Sequence, residues 1–207
     1  MLRHTCRSSR VQALAAALAL ILALARLFGG TAAAASEGAE LIGTAAPDWQ
    51  GLVWLEPEPR RLADLRGKVV LLRWWTDTCP FCARSAPALV ELHERYADRG
   101  LVVVGALHPK PLGRPITREQ ARAAAGRLGF EFPIALDRDW TVLRRYWLGG
   151  HRRPATSASF LIDRRGVIRH VHPGPAFHRE VFDGDDAPRS DLIALQQAIE
   201  RLLEESP

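Results

Sequence analysis

The chain has 207 residues, enough for one domain with a sizeable core and hardly for two. Its 28 Lys+Arg exceed its 23 Asp+Glu, but Arg3, Arg7, Arg10 and Arg26 lie in a stretch, residues 1–35, that holds no acid. Setting that stretch aside leaves 24 basic against 23 acidic groups of the original 28 and 23, which excludes the clustered basic excess of a nucleic-acid binder.

Residues 1–35 read as an export signal. Three arginines precede an apolar run from Val11 to Ala25, and Gly29-Gly30 and then Ala33-Ala34-Ala35-Ser36 supply a small-residue cleavage pattern. The rival is an uncleaved membrane anchor, but the run falls short of the roughly 20 residues that span a bilayer, and Arg26 interrupts its extension. Under either reading, residues from about Ser36 onward cross the membrane, so a periplasmic or other extracytoplasmic location follows. Cys6 lies before the apolar run and is lost with a cleaved signal. The exported part then holds two cysteines, Cys79 and Cys82, in a compartment where disulfides persist.

Residues 37–207 are expected to form a single domain. Its lead-in carries Ala46-Pro47-Asp48-Trp49, a short strand near Leu52–Leu55 and the proline-broken Glu56-Pro57-Glu58-Pro59. Lys68–Trp75 is a continuous apolar run, interrupted by Arg73, that predicts a strand buried on both faces. Ala83–Arg99 predicts a helix with Leu89, Leu92 and Tyr96 on one stripe and Gly100 at its C-cap. A second buried strand follows at Leu101–Leu107, and Thr117–Gln120 is a capping box opening a helix to about Leu128. Phe132–Leu136 reads as a strand, and Asp139 as the cap of a helix through Trp147. Ser159–Asp163 and Val167–His172 read as a hairpin around Arg164-Arg165-Gly166. Pro173–Pro188 is expected to be a solvated polar loop, with Asp183-Gly184-Asp185-Asp186 inside it. Ser190 or Asp191 is expected to cap a last helix whose Leu192, Leu195, Ile199 and Leu202 make one apolar face. Alternation closed by a hairpin and a helix predicts an α/β domain with a mixed central sheet and helices on both faces.

The chemistry concentrates at Thr76-Asp77-Thr78-Cys79-Pro80-Phe81-Cys82. This stretch places Cys79 where a buried strand gives way to a helix, and the unpaired N–H groups and partial positive charge of a helix start favour a thiolate. Cys82, one turn on, is within disulfide reach and deeper. Cys79 would attack a substrate disulfide and Cys82 resolve the mixed disulfide. Pro80 suits a first helical turn. A structural zinc site would need further ligands, and the exported part has no other cysteine. An inert disulfide closing so short a loop would add little stability.

Beyond these features, the chain resembles the thioredoxin superfamily, more closely its exported TlpA/ResA-type branch. The resemblance covers roughly Leu41 to Leu203. It rests on Gly67–Leu72, Trp75, Cys79-Pro80-Phe81-Cys82, Pro87 and Phe160–Ile168, with Ala46-Pro47-Asp48 similar to that branch's lead-in. It implies a thioredoxin-like fold with an N-terminal strand extension and dithiol–disulfide exchange without metal or organic cofactor. Cys79 is then the exposed nucleophile, Cys82 the resolving thiol, Trp75 a neighbour of the site, and Pro87 a kink in the active-site helix. The implied partners are exported protein thiols and disulfides and a membrane or periplasmic electron donor. No nucleic acid is expected, the membrane is met only through an uncleaved N-terminal segment, and the domain is expected to be a monomer.

Three departures bear on the site. Where the family carries a cis-proline, this chain has Ser157, and a trans Thr156–Ser157 bond is the default because a cis one costs about 3–4 kcal/mol. Trp75, Thr156 and Ser157 are the expected substrate contacts. Arg73 stands where thioredoxins carry a buried acid. Its stem is expected to pack in the core while its head reaches solvent or a carboxylate; the alternative is a cation behind Cys82 that favours its thiolate. Ser85 stands where some cytochrome-maturation relatives carry a glutamate.

Two other chemistries compete. Thr76–Cys79 has the T-x-x-C spacing of peroxiredoxins, which would make Cys79 peroxidatic with Arg73 or Arg152 polarising the peroxide. His170, His172 and His178 offer copper ligands, as in Sco-like proteins of the same fold, although His151 lies too early and exposed surface imidazoles are the simpler expectation. An adaptor whose cysteines are incidental is the third alternative.

Overall fold

The expected doubly buried strand is Val69–Trp75, strand β2, which follows a two-residue β1 at Val53–Trp54. All seven residues of β2 are buried, Arg73 included. The computed structural model describes residues 37–56, 60–150, 153, 155–181 and 184–205. The expected signal or anchor in residues 1–35 lies outside them, as do His151, Arg152, Pro154 and Asp183. None of the helices formed by the described residues is long and apolar enough to cross a membrane.

The remaining strands are β3 (Leu101–Leu107), β4 (Ile134–Leu136), β5 (Ser159–Ile162) and β6 (Ile168–His172). They form one sheet in the order β1-β4-β3-β2-β5-β6. Pairs β2–β3 and β3–β4 are parallel; β1–β4, β2–β5 and β5–β6 are antiparallel, so the sheet is mixed as expected. Helix α1 (Pro80–Tyr96) and α2 (Arg118–Arg127) make the parallel crossovers, α3 (Thr141–Leu143) follows β4, and α4 (Ala187–Glu204) closes the domain.

Alternation along β2 builds two cores. Val69, Leu71 and Trp75 pack with Leu89, Leu92 and Tyr96 of α1 and with Leu195, Ile199 and Leu202 of α4. Val70, Leu72 and Trp74 face the other side, against Tyr146, Trp147 and Phe160. By the same alternation Arg73 lies on the α1 side, in register with Gly105 of β3 and Ser159 of β5. Gly105 is a close-approach position: a Cβ there would sit 2.8 Å from Ile134 Cδ1 and 3.0 Å from Trp75 Nε1. Glycine at this point leaves Trp75 its room.

Several element boundaries differ from the sequence expectations. The Thr117–Gln120 capping box forms as read, through Gln120 N to Thr117 Oγ1 at 3.2 Å and Thr117 N to Gln120 Oε1 at 2.8 Å. The expected cap at Asp139 does not form. The buried Asp137 carboxylate instead accepts from Val142 N at 3.2 Å and Leu143 N at 2.7 Å, and also from Trp74 Nε1 at 3.3 Å. That helix passes into a π-turn at Arg144–Leu148. Helix α4 begins at Ala187 rather than after Ser190, with Pro188 in its first turn, where a missing N–H is harmless. The lead-in Gly43–Ala46 lies along β6, through Gly43 N to Ile168 O at 2.8 Å and Ile168 N to Thr44 O at 2.9 Å.

Candidate active site

Cys79 is the N-cap of α1 with extended backbone, and its carbonyl accepts from Cys82 N at 3.1 Å and Ala83 N at 3.2 Å. Pro80 occupies the first helical position, so the Cys-Pro-Phe-Cys spacing coincides with one helical turn. Cys79 is half-buried and Cys82 is 2% exposed; neither sulfur is in a disulfide. Phe81, between them, is 42% exposed. The preceding loop is tethered by an ion pair from Arg114 to Asp77.

One hydroxyl and one cation act on Cys82. Its sulfur lies 3.2 Å from Ser157 Oγ. Arg73 is 1% exposed and donates to Ser159 Oγ at 3.1 Å and to the carbonyl of Pro175 at 2.7 Å. Its guanidinium stands 5.1 Å from the centre of the Phe177 ring, and its Nε has no hydrogen-bond partner among the described residues. Burial pushes the Cys82 thiol above its ordinary value, while the charge of Arg73 and the Ser157 hydroxyl pull the other way. Of the two sulfurs, Cys82 acts on Arg73 more strongly than Cys79 does.

His108 closes the site from the end of β3. It is fully buried, its Nε2 lies 2.8 Å from Thr156 Oγ1, and its ring packs edge-on at 5.3 Å from that of Trp140.

The chain matches the AhpC/TSA family profile over residues 42–171, more than half its length. The chain belongs to the AhpC/TSA family. Among curated relatives, Protein DipZ of Mycobacterium bovis is 39% identical over 150 residues, covering 67% of this chain; the chain spans only 20% of that relative's length. The thiol-disulfide oxidoreductase ResA of Geobacillus thermodenitrificans is 33% identical over 133 residues, covering 64% of this chain and 70% of the relative. Among solved structures, a thiol-disulfide isomerase from Corynebacterium glutamicum superposes with a TM-score of 0.58 at 25% identity, covering 78% of this chain and 98% of that one. A thiol:disulfide interchange protein of the thioredoxin family from Chlorobium tepidum gives a TM-score of 0.57 at 21% identity, covering 78% and 97%. The fold is thioredoxin-like.

In this AhpC/TSA-family site the structure brings Cys79, Cys82 and Ser157 together. Thr156 lies beside them with its hydroxyl turned to His108. Trp75, expected as a substrate contact, is 1% exposed. It packs edge-on to Phe130 at 5.2 Å, in the same apolar cluster as Cys82, and offers no surface to a substrate. Ser157 is 3% exposed and its hydroxyl is committed to Cys82. The Thr156–Ser157 bond is not among the cis peptides of the described residues, which are Lys110–Pro111 and Gly174–Pro175.

The expectation that the head of Arg73 reaches solvent or a carboxylate is corrected. Serine, a carbonyl and an aromatic face receive it. The expected solvated loop after β6 is corrected in part: Ala176, Phe177 and His178 are buried, and Ser85 Oγ accepts from Phe177 N at 3.1 Å. Nor is His172 a surface imidazole. It is 2% exposed, 3.2 Å from Asp191 through Nε2, while Gly174 N donates to its Nδ1. Among the described residues no group of three or more His, Cys, Asp or Glu is placed to hold a metal ion. His108 is the site residue the sequence reading passed over. Its one signal was its place at the end of a buried parallel strand, the edge where α/β sheets put their chemistry.

The buried imidazoles carry a pH prediction. Burial first, then Lys110, lowers the His108 pKa to about 3, and burial lowers that of His172 despite Asp191. In the unfolded chain each takes a proton near its ordinary pKa of about 6.5. Between that value and the native one the unfolded state binds more protons, so stability falls as the pH drops through this window. The limiting slope is about 1.4 kcal/mol per pH unit for each such histidine. Urea unfolding from about pH 7 to about pH 5 should show the loss, and His108→Asn should make it shallower than in the wild type. Equal slopes would contradict the assignment.

Proposed function

We propose that this chain is an exported thiol–disulfide oxidoreductase in which Cys79 attacks a disulfide of a substrate protein and Cys82 resolves the mixed disulfide. The observation that carries the reading is the division of the pair. Cys79 is half-buried at the start of α1, whereas Cys82 is sealed beneath it against Ser157. An external disulfide meets Cys79, and Cys82 meets only the disulfide that Cys79 has formed. The names of the oxidoreductase and isomerase relatives support the same chemistry. Export follows from the signal-like residues 1–35, and the electron donor is accordingly a membrane or periplasmic one.

The reducing direction is the one proposed here, and the reduction potential of the Cys79–Cys82 couple decides it. The peroxidase alternative asks for an arginine on the attacking sulfur, and Arg73 acts chiefly on Cys82. The test is steady-state reduction of a folded protein's disulfide by the full chain with a small dithiol as electron source. Turnover that disappears in Cys79→Ser is expected. Turnover unchanged by that substitution would overturn the reading and leave the adaptor role.

A further inference from the structure

A cation enclosed on all sides within a sheet is costly unless something compensates it. Arg73 stands in a row that crosses the sheet in register: Gly105 on β3, Arg73 on β2, Ser159 on β5 and His172 on β6. This row faces α1, the side on which Cys82 is buried. The guanidinium is held by Ser159 Oγ, the Pro175 carbonyl and the Phe177 ring, all neutral groups. Its Nε, buried and unpartnered, is left over. The titratable groups around it are Cys79 and Cys82 from α1, His172 from β6 and His108 from the end of β3. Both histidines are kept neutral by burial, and Arg73 itself opposes their protonation. The group able to supply the missing negative charge is therefore a cysteine thiolate. None of the side chains acting on Cys82 among the described residues is a carboxylate that would take its proton.

Building on the exchange reading above, we propose that Arg73 is a positioning residue for the resolving step: its buried guanidinium, with the Ser157 hydroxyl, stabilises Cys82 as a transient thiolate. Cys82 loses its proton and its sulfur attacks the Cys79 sulfur of the mixed disulfide. The Cys79–Cys82 bond forms, and the bond from Cys79 to the substrate sulfur breaks. The substrate leaves with the electron pair and ends as a thiol, carrying one proton, the equivalent of that given up by Cys82. The substrate disulfide is the oxidant and the dithiol the reductant. Where thioredoxins carry a buried acid, this chain places a buried cation.

The experiment uses the reduced full chain and an aryl disulfide that liberates a coloured thiolate. Attack by Cys79 releases the first equivalent of colour and resolution by Cys82 the second, so the two steps are timed separately. In Arg73→Met the second release should slow at least about tenfold near neutral pH, a factor equal to about 1.4 kcal/mol. The first release should change little. The deficit should shrink as the pH is raised and Cys82 ionises without help, and Arg73→Lys should recover most of the rate. Methionine of similar volume suits the buried position, and replacing a buried charge by an apolar group is often neutral or stabilising. If Arg73→Met nevertheless fails to fold, Ser157→Ala carries the same comparison, predicted to shift the pH profile of the second release alone. An unchanged second release with an unchanged pH profile would overturn the proposal, as would a defect confined to the first release. A wild-type chain that never gives the second release would instead overturn the exchange reading on which the proposal rests.

Discussion

A Cys82→Ser variant should stop after the first chemical step, holding its substrate as a stable mixed disulfide through Cys79. Resolution within one chain has the advantage of a pre-positioned nucleophile, and losing it should lower turnover by at least roughly a thousandfold when an external thiol must substitute. The geometry makes the two cysteines unequal. Cys82 is 2% exposed, behind Ser157, so an external disulfide cannot meet it first. Cys79→Ser should therefore lose both attack and adduct, whereas Cys82→Ser should keep the adduct and lose the release. Intact-mass measurement after incubation with a protein disulfide distinguishes them. A covalent adduct on Cys79→Ser, carried by Cys82, would contradict the assignment of roles.

Phe160→Ala should be the most damaging single truncation of the core. Phe160 is fully buried, with ring centres 5.7 Å from Trp74, 5.2 Å from Tyr146 and 5.9 Å from Trp147. Truncating a phenylalanine in such surroundings costs about 3–5 kcal/mol, through lost transfer energy and the cavity that rigid aromatic neighbours cannot fill. Because β5 carries Phe160 alongside Ser159, and Ser157 lies just before it, the damage should spread to the wall that holds Cys82 and Arg73. Equilibrium urea unfolding measures the loss. A change below about 1 kcal/mol would mean that this cluster collapses around the gap, contrary to its close packing.

Much of the fold was legible because its signals are local. The unbroken apolar runs of β2 and β3 require burial on both faces, and the Thr117–Gln120 box is complete in four residues. The cysteine pair was legible for the same reason: strand, turn and helix follow one another within a dozen residues. What the sequence hid is long-range. Asp137 displaces Asp139 as a cap because its carboxylate also has Trp74 Nε1 to satisfy, a partner 63 residues away. The segment Pro173–His178 looks like solvated loop, yet Arg73 and Ser85 draw it over the site through Pro175 and Phe177. The surroundings of Arg73 depend on strand register and on that segment together, so the residue read as a core stem with its head in solvent or on a carboxylate proved to be a cation buried among neutral groups. His108 was passed over for the same reason, since its partner Thr156 is distant in the chain.

The most direct measurement is an equilibrium redox titration of the full chain in thiol–disulfide buffers, counting free thiols by mass after alkylation. The predicted result is a reversible two-electron transition, Cys79 and Cys82 disappearing together, with a potential near or below about −250 mV, in the reducing range for such couples. A potential of about −120 to −180 mV would contradict the reducing direction. If Cys79 and Cys82 form no reversible disulfide at all, the claim that they are a redox pair is wrong.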